Sequence, residues 1–146
     1  MIDVAVHTGP FSAEFKERLS ELSHVVFTRT YPEDLEWRLV RLPDATVTVA
    51  RAGDALVGFK VGYAVSKARY YSWLGGVHPN FRRQGVAAQL MEAQHTWVRE
   101  AGFSAVETAT TPENRTMLAL NLRHGFTVIG TYTRDGMRVL LAKKVA

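Results

Sequence analysis

One stretch constrains this chain more than any other: Gly75-Gly76-Val77-His78-Pro79-Asn80-Phe81-Arg82-Arg83-Gln84-Gly85-Val86-Ala87-Ala88-Gln89-Leu90. The aromatic-rich residues before it, Arg69 to Leu74, predict a strand. Beyond it, Val86, Leu90, Ala93 and Trp97 recur at helical spacing and predict a helix. A strand that feeds a helix through a turn aims free backbone N–H groups, and the positive end of the helix dipole, at one point. Such a point suits an anion, phosphate above all. Gly85 lets the backbone approach a ligand with no Cβ between them. The same residues also fit a plain strand–loop–helix connection with two solvated arginines, Arg82 and Arg83. They do not form a Walker A loop, because no Gly-Lys-Ser/Thr follows, and the glycines lack the dinucleotide spacing.

The rest of the chain predicts a single domain over residues 1–146, long enough for a real core. Ile2 to His7 suggests a first strand. Phe11, Phe15, Leu19 and Leu22 then share one helical face, and Pro32, Glu33 and Asp34 open a second helix that stops before Pro43. Thr46–Arg51, Leu56–Val65 and Arg69–Val77 read as an antiparallel meander around the turns Ala52-Gly53-Asp54 and Ser66-Lys67-Ala68. Gly75-Gly76 within the last of these strands predicts a bulge or a close backbone approach. The long helix ends near Gly102, and Ser104–Ala109 forms the next strand of a βαβ unit. Thr110 and Glu113 have capping-box spacing around Pro112, predicting a helix that runs to Gly125. Phe126–Arg134 and Met137–Lys143 form a hairpin around Asp135-Gly136.

Composition excludes several classes of function. The chain has no cysteine, so disulfides, thiolate catalysis and thiolate zinc sites are out. No pair among the five histidines has metal-ligand spacing with an acid, and no metal is expected. No apolar run approaches the roughly 18 residues of a membrane span, and no signal peptide is visible, so the cytoplasm is the expected location. The net charge of +4 fits either a nucleic-acid partner or a polyphosphate ligand. The basic residues are scattered, with no run of five Lys/Arg, which favours the ligand.

Val77 to Ala87 resembles the acyl-CoA signature of the GNAT superfamily of N-acetyltransferases, a strand, then (Gln/Arg)-x-x-Gly-x-(Gly/Ala), then a long helix. Asn114 to Phe126 resembles the next helix of that family and its closing Gly-Phe. The resemblance implies an α/β (α+β) fold: a central mixed, mostly antiparallel sheet with a splayed parallel strand pair and helices on both faces. It implies acetyl-CoA as co-substrate, its pantetheine arm lying in the gap between the splayed strands. The expected reaction moves the acetyl group to a primary amine by direct attack in a ternary complex. The alternative is a non-catalytic acyl-CoA-binding module. The expected acceptor is a small-molecule or protein amine; a homodimer is allowed, a membrane is not involved and nucleic acid is disfavoured.

By the same resemblance the N–H of Val77 donates to the thioester oxygen, and the turn from Arg82 through Arg83, Gln84, Gly85 and Val86 to Ala87 holds the pyrophosphate. Asn114 and Asn121 also contact the coenzyme. The proton-handling residues depart from the family pattern. A glutamate found on the signature strand in some members is here Tyr71, whose ordinary pKa near 10 makes a poor base. A tyrosine that often protonates the departing thiolate is here Asn121. Glu107 on the adjacent strand is either a proton relay or a cross-strand partner for a basic residue. His78 is expected in an exposed turn, and His95 and His124 at the surface. Phe27, Tyr31 and Trp37 either line the acceptor pocket or belong to the core.

Overall fold

A computed structural model describes residues 1–27, 35–42 and 44–146. Its elements follow the predicted order: β1 (Ile2–Thr8), α1 (Ala13–Val26), α2 (Leu35–Arg41), β2 (Thr46–Ala52), β3 (Ala55–Ala64) and β4 (Arg69–Val77). After a short 3-10 turn at Pro79–Phe81 come α3 (Val86–Glu100), β5 (Ala105–Thr110), α4 (Arg115–Arg123), β6 (Thr127–Thr133) and β7 (Met137–Lys144). The expectations for Tyr31, for the opening of the second helix at Pro32, Glu33 and Asp34, and for its stop at Pro43 fall outside the described residues.

The strands form one sheet in the order β1-β2-β3-β4-β5-β7-β6. All neighbours run antiparallel except β4 and β5, whose crossover is α3. The mixed, mostly antiparallel sheet expected from the sequence is therefore what forms. On one face α1 and α2 cover Val47, Val49, Phe59 and Val61 with Leu19, Leu22, Leu35 and Leu39. On the other, α3 lays Val86 and Leu90 on Ala50 and Val57, and Met91 and Val98 on Tyr70, Val106 and Leu141. Tyr70 is fully buried, and Gly62 beneath it leaves room for the ring, since a Cβ there would lie 2.3 Å from the ring carbon Cε1.

Three local expectations are corrected. The helix after β5 starts at Arg115, capped by Asn114 Oδ1, which accepts the N–H of Met117 at 3.3 Å; the Thr110–Glu113 box does not form. The buried stripe of α3 is Val86, Leu90, Met91, Gln94, His95 and Val98, so the Ala93/Trp97 line lies at its flank. Apolar spacing misses this because two polar residues, Gln94 and His95, sit in the stripe. For the same reason His95 is buried, at 6% exposure, rather than on the surface.

Candidate active site: the parting of two strands

Strand β4 has two halves. Arg69–Ser72 pairs with Ala105–Thr108 of β5, and Thr108 Oγ1 adds a hydrogen bond to the Ser72 carbonyl at 2.9 Å. From Trp73 onward the pairing with β5 stops. On the other side β4 stays paired with β3, and the register slips there: Val61 faces Leu74 while Gly62 faces Ser72. Trp73 is thus the bulged residue, and Trp73 and Leu74 both turn toward the α1 side. A bulge bends its strand and raises the local twist, which turns β4 away from β5.

Gly75 and Gly76 are not the bulge; they pair regularly with Lys60 and Phe59. Their role is close approach. A Cβ on Gly76 would come within 2.3 Å of Val26 Cγ1 of α1. A Cβ on Gly75 would lie 3.0 Å from the Phe59 carbonyl and 3.1 Å from Lys60 Cγ.

The backbone of the parted half is oriented by simple alternation. The His78 N–H donates to the Val57 carbonyl at 2.7 Å, so the 57–78 pair is hydrogen-bonded. The next pair, Gly58–Val77, is then non-hydrogen-bonded, and so is Lys60–Gly75. The N–H groups of Gly75 and Val77 therefore point away from β3, into the gap. The Val77 carbonyl, on the same side, accepts from Arg82 Nε at 3.1 Å. Sequence reasoning named Val77 but missed Gly75, whose amide has the same orientation two residues deeper.

At the mouth of the gap the chain turns through Arg83 at φ 62° and Gly85 at φ 79°, both left-handed. The starts of α1 and α4 are capped by side chains, by Ser12 and by Asn114. The start of α3 has no side-chain cap and no acid in its first turn. The first ladder bond of α3 runs from the Gln89 N–H to the Gly85 carbonyl, leaving the N–H groups of Val86, Ala87 and Ala88 at a bare positive end. Together the mouth and the gap form a groove of about 840 Å³.

The groove brings together Val77, Arg82, Arg83, Gly85, Val86, Ala87 and Asn114 of the predicted set. It also takes in Lys60, Trp73 and Arg123, which sequence reasoning did not single out. Among the described residues its charged lining is Lys60, Arg82, Arg83 and Arg123, with no carboxylate. Gln84 is not in the lining; its Nε2 donates to the Asn80 carbonyl at 3.3 Å. Asn121 is buried at 3% exposure near the end of α4, outside the lining.

Tyr71 and Glu107 lie opposite each other in the paired half, also outside the groove. Burial first, then Tyr132 and Tyr63, pushes the Tyr71 hydroxyl well above the ordinary tyrosine value, further from use as a base. The Glu107 carboxylate stands 3.4 Å from Arg69 Nε, the cross-strand partner that the sequence allowed. His78 caps the 3-10 turn, accepting the N–H of Asn80 at 3.1 Å. Phe27 packs edge-on to Phe59 in the core, and Trp37 is exposed with the Arg41 guanidinium 5.0 Å from its ring centre. On the α1–α2 side of the groove the Arg38 guanidinium lies 4.3 Å over Trp73, and Arg38 Nη1 donates to the Tyr63 hydroxyl.

Comparison with known proteins follows the same geometry. The profile described as the acetyltransferase (GNAT) family matches residues 13–126. No curated protein matches the sequence. Among solved structures, the ribosomal-protein-S18-alanine N-acetyltransferase from Escherichia coli superposes with a TM-score of 0.82 at 13% identity, over 99% of this chain and 95% of that one. Ard1 from Thermoplasma volcanium gives 0.81 at 23% identity, over 98% of each chain. A GNAT family acetyltransferase from Elizabethkingia anophelis with acetyl-CoA bound gives 0.75 at 15% identity, over 98% and 97%.

Proposed function

The chain belongs to the acetyltransferase (GNAT) family, and from that premise we propose that it transfers an acetyl group from acetyl-CoA to a primary amine by direct attack in a ternary complex. The observation that carries this reading is the parted strand pair: two unpaired amides in a gap that opens onto an uncapped helix start rimmed by arginine.

Each part of acetyl-CoA finds a matching chemistry. The free N–H groups of Val86, Ala87 and Ala88, with Arg82 and Arg83, take the pyrophosphate. The pantetheine arm lies along the gap, completing the hydrogen bonding that β5 leaves open, with Asn114 Nδ2 as a further donor. The Val77 and Gly75 amides face the thioester carbonyl and stabilise the oxyanion that develops on it. The amine approaches from the α1–α2 side past Trp73 and Arg38, whose cation and ring shape the entry. Its lone pair attacks the carbonyl carbon, the C–N bond forms, the C–S bond breaks, and the surplus amine proton passes to solvent. Positioning of a thioester already activated supplies most of the rate.

The second reading, a non-catalytic acyl-CoA-binding module, is favoured by one feature: no carboxylate lines the described groove to deprotonate an ammonium substrate. Thermal unfolding with acetyl-CoA, NAD and ATP, followed by an amine panel scored by release of free thiol, tests both. A ligand at about 100 times its Kd adds roughly 2.7 kcal/mol, so acetyl-CoA is expected to raise Tm clearly and the others much less. Stabilisation with no turnover on any amine supports the binding module; absence of stabilisation removes both readings.

A further inference from the structure

Lys60 is the unusual residue of this groove. It sits in the middle of β3, paired with Gly75 on one side and Thr48 on the other, on the face that α3 covers. Its pairing with Gly75 is of the non-hydrogen-bonded kind, in which opposing side chains come closest. Gly75 has no side chain to meet it, and Lys60 Cγ lies 3.1 Å from where that Cβ would be. The stem of Lys60 therefore lies across Gly75, and Lys60 is one of the residues that line the groove. Gly75 is also the deeper of the two residues whose N–H faces the gap. An inward lysine beneath a helix does not aid folding, because a buried charge is stabilising only when paired. Among the described residues Lys60 has no carboxylate partner.

We propose that Lys60 is the group that meets the coenzyme A sulfur as it departs, its ammonium pairing with the thiolate when the carbon–sulfur bond breaks. This rests on the acetyl-CoA reading of the groove. The carbonyl oxygen faces the Gly75 and Val77 amides, and Lys60 lines the same groove from the α3 side. As the amine attacks, the electron pair of the C–S bond moves to sulfur, beside the Lys60 ammonium. The thiolate takes its proton from solvent on release, and Lys60 remains protonated. Asn121 of α4 supplies no acid for this sulfur, and Lys60 of β3 instead stabilises its charge.

The electrostatics of the surroundings are consistent. Burial lowers Lys60 to about 8, so it is still mostly protonated at neutral pH. The titratable and charged groups near it are His95 of α3, which burial keeps neutral, with Lys143 of β7 against that ring, Arg82 and Arg83 at the mouth, and Arg123 of α4. Among the described residues, the charged side chains that an anion in the groove meets are therefore all positive. Beside Lys60 on the α3 side, Thr48 Oγ1, both polar atoms of Gln94 and His95 Nε2 have no hydrogen-bond partner among the described residues, so this layer is polar rather than hydrocarbon.

The test needs no acceptor. Free coenzyme A is bound at saturation to the full chain, and the ultraviolet absorbance of its thiolate is followed against pH. The same is done for Lys60→Met and Lys60→Arg, and a desulfo coenzyme serves as the thiol-free control. In the unaltered protein the bound thiol is expected to titrate about one pH unit or more below free coenzyme A measured under the same conditions. Lys60→Met should return it to the free value or above, while Lys60→Arg keeps it low. Without ligand, Lys60→Met should be at least as stable as the unaltered chain, which a purely structural lysine would not allow. A bound thiol that titrates like free coenzyme A in the unaltered protein overturns the proposal, even if Lys60→Met fails to fold. Equal thiol pKa values with and without Lys60 overturn it as well. If neither coenzyme form binds, the acetyl-CoA reading falls and takes this proposal with it.

Discussion

The two halves of β4 are made from one continuous strand and are used in opposite ways. In Arg69–Ser72 the strand is paired on both sides, its Tyr70 is sealed in the core, and Thr108 ties Ser72 to β5. In Trp73–Val77 it is paired on one side only, two of its five residues are glycine, and the Gly75 and Val77 amides face an open gap. One extra residue, Trp73, separates the two. Backbone hydrogen-bonding groups are normally satisfied within a fold. A run of unspent donors beside a bare helix start is therefore the strongest sign of a ligand in this molecule. The paired half should answer to mutation in stability and the parted half in affinity.

The largest expected effect lies in the paired half. Tyr70 packs against Trp97 and Phe103, and its hydroxyl bonds Thr46 Oγ1. Tyr70→Ala should cost about 3–5 kcal/mol in unfolding free energy, as for other buried aromatics. Denaturant titration gives the value. Coenzyme affinity of the remaining folded protein should change little; a selective loss of affinity would erase the distinction between the halves.

Next comes Gly85→Val on the parted side. Nothing lies within 4 Å of a Cβ at this position, so the fold has room, although φ of 79° adds strain of roughly 1–2 kcal/mol. The Cβ would instead enter the space assigned to the pyrophosphate. Acetyl-CoA affinity, measured by calorimetry, should fall roughly tenfold to hundredfold, or about 1.4–2.8 kcal/mol. Unchanged affinity would reduce the turn to a connection.

These contrasts explain what the sequence made legible. The element order was readable because apolar spacing, Asp135-Gly136, Gly102 and Gly125 are local signals. The turn proposed for the pyrophosphate was readable because it too is local: Arg82, Arg83 and Gly85 adjoin the start of α3. Lys60 was not readable, since its proposed role arises from pairing with Gly75 of β4, a pairing that no short window contains. Gly75 and Gly76 were marked as special, but the bulge belonged to Trp73, a good strand residue with no signal of its own. His95 was misplaced because a polar residue in a helical stripe looks like surface until the neighbouring layer is seen.

A third prediction uses that buried histidine. Burial first, then the positive charges of Lys143, Lys60 and His124, holds His95 down to about 3 from its ordinary 6.5. The unfolded chain then binds a proton that the folded chain refuses as pH falls below 6.5. Stability is present above that value and is lost progressively as pH falls from 6.5 toward 3. One pH unit below the unfolded value the loss is about 1.4 kcal/mol. Unfolding curves against pH for the unaltered chain and His95→Leu should diverge by about that much near pH 5.5. Parallel curves would place a charged histidine under α3. The effect should appear in stability, since His95 lies outside the groove lining.

The smallest effect is expected at Glu107, where the comparison is sharpest because the residue is a carboxylate only one strand from the proposed site. Glu107 lies in the paired half, opposite Tyr71, and its carboxylate meets Arg69, which is 53% exposed. An ion pair with so exposed a partner is worth about 0–1 kcal/mol. Glu107→Gln keeps the side chain's shape and removes only the charge. Its unfolding free energy should therefore fall by less than about 1 kcal/mol, and acetyl-CoA affinity should not change. Turnover on whichever amine the panel identifies should also stay close to that of the unaltered enzyme. A general base or relay would behave differently: its loss removes about 10²–10⁴-fold, with the pH profile shifting as well. Measuring the rate against pH with amine in excess separates the two. A fall of a hundredfold or more would move Glu107 into the machinery and show that the chemistry extends past the bulge into the paired half. An unchanged rate would leave the parted half of β4, with Lys60 across from it, as the place where the bond is made and broken.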